Sequence, residues 1–171
     1  MNLLEIRLQI APNPIFRQKA APVKEIDSEV EYIISSMYDI MYEYGAVGIG
    51  ANMVGVLKRI VVVDIQESSK KKPITMINPV ITAKSQELQT FEEGALSYPG
   101  IKAMVKRPKE IKVEYLDGNG EFNSMNAEGW LATVIQHEVD YLDGKIFLDY
   151  VSPIKRKMLL KKMEKRIKNN Y

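Results

Sequence analysis

Gln136-His137-Glu138-Val139-Asp140-Tyr141 reads as the H-E-x-x-H pattern of a helical metal site, with tyrosine where the second histidine would stand. Residues four apart share one face of a helix. Two histidines at that spacing can hold one metal, while the glutamate between them takes a proton from bound water. Here His137 and Glu138 remain and position 141 is a phenol. His137 is the only histidine and the chain has no cysteine, so a three-ligand site built from His and Cys cannot exist.

Working outward, the same stretch belongs to a helix expected over about Ala127 to Leu142 and ended near Gly144. Trp130, Leu131, Val134, Ile135 and Leu142 form its apolar stripe, and His137, Glu138 and Tyr141 point inward with them. Upstream, Glu110 to Leu116 alternates and meets Asp117-Gly118-Asn119-Gly120, a hairpin turn, before a return strand from Glu121. Nearer the start, Ser28 and Glu31 read as a capping box that opens a helix bearing Val30, Ile33, Ile34, Met37, Ile40, Met41 and Tyr44 and ending near Gly45. A glycine-rich loop, Gly45 to Asn52, leads to a buried strand over Arg59 to Ile65. An exposed loop at Lys70 to Lys72 precedes short strands near Ile74 to Ile77, Val80 to Ala83 and Glu87 to Phe91. These elements predict an α+β domain with mixed or antiparallel strands around one central helix that carries His137 and Glu138.

The 171 residues suffice for one domain with a single core. The absence of cysteine fits a reducing compartment. Met1 to Arg17 carries charges and prolines rather than a signal-type apolar run, and no stretch approaches transmembrane length. A cytoplasmic protein without membrane association is expected. Residues 152–171 hold eight basic side chains against Glu164, whereas the rest of the chain is net acidic. Such a tail is either a solvated helix face or a surface for a polyanion. Ile154, Met158, Leu159, Met163, Ile167 and Tyr171 recur through it, so it should be an amphipathic helix that docks by this stripe.

Three segments together carry a family resemblance: Gly48 to Gly55 (G-I-G-A-N-M-V-G), Glu93 to Ser97 (E-G-A-L-S), and Gln136 to Tyr141 followed by Asp143-Gly144. They resemble, in order and interval, the three motifs of the peptide deformylases. That resemblance implies the deformylase fold over residues 1–151, with 152–171 as a basic C-terminal helix packed on it. It also implies a hydrolase of protein biosynthesis that removes formyl from N-terminal formyl-methionine with a divalent metal (iron, zinc or nickel). The family's metal ligands would fall on Ala95, His137 and Tyr141, of which only His137 can ligate. Its general acid/base would fall on Glu138 and one oxyanion donor on the backbone of Leu96. The glutamine that donates to the oxyanion falls on Met53, which has no donor. Substrate main chain would pair with Val47, Gly48 and Gly94.

Ala95, Met53 and Tyr141 each remove a different part of one chemical machine. The expected protein is therefore a metal-free deformylase homologue without deformylase activity. It would need no cofactor and would keep a groove for N-terminal (formyl-)methionine peptides or an association with the ribosome through its basic tail. His137 should be satisfied by a neighbouring carboxyl or carbonyl, and Glu138 should be a desolvated carboxyl with a raised pKa. Tyr141 should fill the space of the lost ligands, its hydroxyl bonded to Glu138 or His137. Trp130, Val134 and Phe91 are core residues that could also line a methionine-sized pocket. The rival expectation is an active peptide deformylase with a rebuilt site, in which His137 joins oxygens of Glu93, Glu138 or Tyr141 around a harder metal.

Overall fold

The computed structural model describes residues 4–170. The first helix, α1 (Ser28–Glu43), buries Val30, Ile33, Met37 and Met41, one stripe at three- and four-residue spacing. Its cap differs from the expected box: the Asp27 side chain accepts from the Val30 N–H, and Ser28 is already inside the helix. A short 3-10 turn at Pro14–Arg17 precedes it.

Five strands form one antiparallel sheet: β1 (Gly48–Gly50), β2 (Ile60–Val63), β3 (Ile74–Lys84), and two strands further along the chain, β6 (Glu110–Leu116) and β7 (Phe122–Glu128). Their spatial order is β1-β2-β3-β6-β7. Between β3 and β6, β4 (Leu88–Ala95) and β5 (Tyr98–Pro108) pair as a separate two-stranded sheet. The two short strands expected over Ile74 to Ala83 are one strand, bent where Asn78 adopts φ +52° and the register with β6 slips. Asn78 fixes that bend by bonding both the N–H and the C=O of Val23.

β7 runs directly into α2 (Gly129–Leu142), whose stretch from Ala132 to Val139 is buried on all sides. Such a helix sits between two apolar clusters rather than on one. Val134, Ile135, Val139 and Leu142 pack with Val61, Val63, Ile111 and Val113, whereas Tyr141 belongs to the cluster of Phe16, Met37, Ile49 and Phe147. Trp130 and Leu131, expected in the core stripe, are only half-buried at its first turn. Polar ties fix the helix: Gln89 reaches the Gly129 carbonyl at 2.6 Å, Gln136 the Pro108 carbonyl at 3.0 Å, and Arg59 the C-terminal Leu142 carbonyl at 3.2 Å.

The chain closes with α3 (Pro153–Asn169), capped by Ser152 and packed on β5. Its docking face is only part of the expected stripe, with Ile167 packed alongside Leu159 and Met163. Leu159 and Met163 are buried, but Ile154 and Met158 are 83% and 63% exposed, and Tyr171 lies outside the described residues. Among the described residues no helix is long and apolar enough to cross a membrane.

Candidate functional site

A cleft of about 1030 Å³ opens between the two sheets, with β1 and β4 on its walls, α2 as its floor and α3 at one end. His137, Glu138, Ala95, Leu96, Met53, Val47, Gly48 and Gly94 all line it, so the structure brings nearly every residue singled out from the three motifs to one place. Tyr141 is the exception; it is 0% exposed and lies beneath the cleft in the apolar cluster.

His137 donates through Nδ1 to Glu93 Oε1 at 2.7 Å, which meets the expectation of a neighbouring carboxyl. Glu93 in turn takes a two-pronged bond from Arg107, Nε to Oε2 at 2.7 Å and Nη2 to Oε1 at 2.9 Å. The third arm of Arg107 holds Asp140 at 2.8 Å, and Tyr150 donates to the same carboxylate at 2.6 Å. Burial pushes the Glu93 pKa up, but the hydrogen bonds from His137 and Arg107 outweigh it and hold the group below its ordinary value. This network is the part of the site that sequence reading missed, since Arg107 and Asp140 stand outside the expected residues and Glu93 entered only as a metal donor. The one available signal was Glu93 itself, at the head of the second motif.

Glu138 has no comparable partner. Its Oε2 is buried without a hydrogen bond, and its Oε1 lies 3.9 Å from His137 Nε2. Burial is the main cause that raises its pKa from the ordinary 4.5 to about 7, with the His137 charge opposing it. The strand comes close because Gly48 has no side chain: a Cβ there would lie 2.9 Å from Val134 Cγ1 and 3.1 Å from Glu138 Oε1. A group whose folded pKa exceeds its unfolded value binds more protons when folded, so stability falls as pH rises from about 4.5 to about 7. Glu138→Gln is accordingly expected to leave stability unchanged near pH 4 and to raise it near pH 8, by at most a few kcal/mol. Urea titrations at the two pH values measure this; equal effects at both would refute a desolvated carboxyl.

Tyr141 packs edge-on against Phe16 at 5.9 Å and beside the His137 ring at 5.3 Å. The expected hydroxyl bond to Glu138 or His137 is not formed: the buried oxygen has no hydrogen-bond partner, because the ring is anchored by its apolar neighbours instead. Burial, then the nearby Glu138 carboxyl, push the phenol well above its ordinary pKa of 10.0, so it is no phenolate donor. Ala95 offers no donor, and Glu93 is spent on Arg107 and His137. Among the described residues no three His, Cys, Asp or Glu side chains converge on a metal-sized point. The family's three ligand positions thus offer one nitrogen donor, His137, which does not fit a transition metal; of the oxygen donors considered for a rebuilt site, Glu93 is committed, while Glu138 Oε2 and the Tyr141 hydroxyl are buried without a hydrogen bond and converge on no shared point with it.

Main-chain groups of the cleft are better kept. The Asp64 N–H donates to the Val47 carbonyl at 2.9 Å, and Gly48 stands opposite Val63 in the next, unbonded register position. In an antiparallel ladder these positions alternate, so the N–H and C=O of Gly48 face away from β2 toward the cleft. The Val47 carbonyl is committed to the sheet. Across the cleft Gly94 occupies an irregularity between Glu93 and Ala95, and Leu96 sits in the tight turn joining Ala95 to its partner Tyr98. Trp130 and Val134 form the apolar wall, with the Phe91 ring tilted against Trp130 at 5.2 Å.

The family model of polypeptide deformylases matches residues 6–157. A "Peptide deformylase-like" protein of Rickettsia conorii is 54% identical over 158 residues, which are 92% of this chain and 86% of that one. A "Peptide deformylase" of Rhizobium meliloti is 41% identical over 162 residues, covering 94% of this chain and 93% of its own. Among solved structures, the peptide deformylase of Ehrlichia chaffeensis superposes with a TM-score of 0.92 at 32% identity, over 96% of this chain and 98% of that one. A family model matched over most of the chain, and relatives and a solved structure covered nearly end to end, show that the chain belongs to the polypeptide deformylase family.

Proposed function

We propose that this family member is metal-free and catalytically silent as a deformylase, and that it uses its cleft to bind the N-terminal segments of peptides in a cytoplasmic setting. The observation that carries the reading is the buried phenol of Tyr141 together with the methyl of Ala95, which leave His137 as the sole donor among the family's ligand positions. Met53, buried beside them, removes a side-chain hydrogen-bond donor as well. Peptide binding draws support from what does not depend on those side chains: the free edge at Gly48 and the Trp130–Val134 wall.

Purification without chelators followed by elemental analysis tests the proposal, with substoichiometric zinc, iron and nickel as the expected result. Formyl-methionyl peptides should not be turned over. The second reading, an active peptide deformylase, is favoured by the 41% identity to the Rhizobium meliloti protein. About one metal per chain at His137 would establish it, if accompanied by turnover within about 100-fold of the common range of roughly 1 to 1,000 per second and abolished by Glu138→Gln.

The exposed basic side of α3 is proposed to meet ribosomal RNA. Because Leu159 and Met163 are buried, removing α3 would uncover the core, and substitutions are the cleaner test. Lys155→Glu with Lys157→Glu and Lys161→Glu should abolish low-salt co-sedimentation with ribosomes. The wild-type affinity should fall with salt at a log-log slope of roughly 0.7 to 0.9 per phosphate contacted. Unchanged co-sedimentation would leave this face an ordinary solvated surface.

A further inference from the structure

Two of the tail's exposed basic residues also border the cleft. Lys162 and Arg166 lie one helical turn apart on α3, each three residues after a buried anchor, Leu159 or Met163, and both line the mouth of the cleft. Arg166 lies against the strand beneath. Gly100 takes φ +78°, and a Cβ there would crowd Arg166 Cδ and Nη1, so the guanidinium rests where β5 presents bare backbone. Lys102, two residues on, lines the same opening.

These three cations are almost uncompensated. Among the described residues no carboxylate lies within salt-bridge distance of Lys162 or Arg166, and Lys102 has only Glu92 at 3.9 Å, with both side chains mostly exposed. The acids inside the cleft are elsewhere: Glu93 is held by Arg107 and His137, and Glu138 is buried on the floor. The cleft is thus polarised, acidic at its floor beside Gly48 and cationic at its α3 end.

We infer that α3 makes the cleft selective for peptides that carry acidic side chains downstream of their first residue, with Lys162 and Arg166 as the specificity-determining residues. The inference rests on the reading of the cleft as a peptide groove. An extended chain paired with Gly48 and directed away from Glu138 meets Lys102, Lys162 and Arg166 as it leaves, and carboxylates there complement the charge. A polyanion such as RNA would find the same cations but would also have to pass the apolar wall of Trp130 and Val134 to gain from the cleft.

The test uses the full chain and C-terminally labelled peptides of the form Met-Ala-Ser followed by Glu-Glu, Gln-Gln or Lys-Lys, read by fluorescence anisotropy. Exposed ion pairs are individually weak, so the two together should favour the Glu-Glu peptide over Gln-Gln by about 5- to 10-fold at low salt, with Lys-Lys weakest. Lys162→Gln with Arg166→Gln should bring Glu-Glu down to the Gln-Gln affinity and leave Gln-Gln unchanged, while Lys157→Gln with Lys161→Gln should change neither. Equal affinity for all three peptides, or a preference that survives the Lys162 and Arg166 substitutions, overturns the inference and leaves the peptide groove standing. Binding of none of the peptides overturns the groove reading and this inference with it. Displacement of the Glu-Glu peptide by a short oligoribonucleotide, through Lys162 and Arg166 and at lower concentration than unlabelled peptide, would assign the site to nucleic acid instead.

Discussion

Arg107→Ala is expected to cost about 3–5 kcal/mol of folding stability, the largest loss of any single side chain at the site. Arg107 is 3% exposed and serves two carboxylates, Glu93 by a paired bond and Asp140 by its remaining arm, while its guanidinium lies 4.4 Å over the Tyr150 ring. Its removal would strand a fully buried Glu93 with only His137 as partner. With so little exposure, that carboxylate is poorly solvated, which favours its protonation or an ion pair with the histidine. Each kcal/mol lowers the melting temperature of a chain this size by about 2–4 °C, so a fall of roughly 6–20 °C should be seen at pH 7. Arg107→Lys should recover only part of the loss, since an ammonium cannot make the paired bond. The Glu93 pKa is depressed in the folded state, so its stabilisation is present above its unfolded value near 4.5 and is lost as pH falls through the folded one. The difference between Arg107→Ala and the parent should therefore shrink on acidification below about pH 4.5. A loss under about 1 kcal/mol at pH 7 would mean that the network is not coupled to folding.

What the sequence could and could not disclose follows from where each signal resides. The α1 stripe is legible because Val30, Ile33, Met37 and Met41 bury through a single local period. β5 is not, because its inward positions run Ile101, Ala103, Val105, Arg107 and so end on a charge, while Met104 points outward; the alternation is there but inverted at both sites. β1 spans only Gly48–Gly50, too short and too glycine-rich to read as a strand, although its free edge is a wall of the cleft. Asn78-Pro79 reads as a break between strands, yet β3 continues through it because Asn78 bonds Val23, fifty-five residues away. At the site, the inward aim of His137, Glu138 and Tyr141 follows from helical spacing alone. The partner of His137 does not, since Glu93 reaches it from β4, forty-four residues away in the chain. The raised pKa of Glu138 follows from burial that the His137 charge and the Gly50 N–H only partly offset, and the missing bond of Tyr141 from the pull of Phe16 and its neighbours on the ring. The docking face of α3 is legible only in part: Leu159, Met163 and Ile167 pack on the core as their spacing predicts, whereas Ile154 and Met158 fit the same spacing and are exposed.

The largest gain should come from restoring the three altered positions together. Ala95→Cys with Tyr141→His should return metal binding, because the remaining ligand position is already prepared: Glu93 holds His137 by Nδ1 and leaves Nε2 toward the cleft. Such an outer carboxylate is worth about 10 to 100-fold in affinity by itself. Two restored inner ligands should exceed the product of two such effects, on the order of 10⁴-fold or more over the parent. Tyr141→His also replaces a phenol that is 0% exposed with a smaller, polar ring next to Phe16, so the metal-free variant should be less stable by roughly 1–3 kcal/mol. Metal should reverse that loss, because a ligand that binds only the folded state stabilises it by mass action. A thermal shift on titration with zinc or nickel, absent in the parent, is the readout. Deformylation should stay undetectable until Met53→Gln is added, since ligands and a hydrogen-bond donor that act as one unit are strongly non-additive. If the folded triple variant shows no metal-dependent thermal shift, the shell around positions 95 and 141 has repacked beyond what these side chains can restore. Recovery of metal with two changes and of turnover only with three would show that the fold still holds the family's geometry under an altered set of side chains.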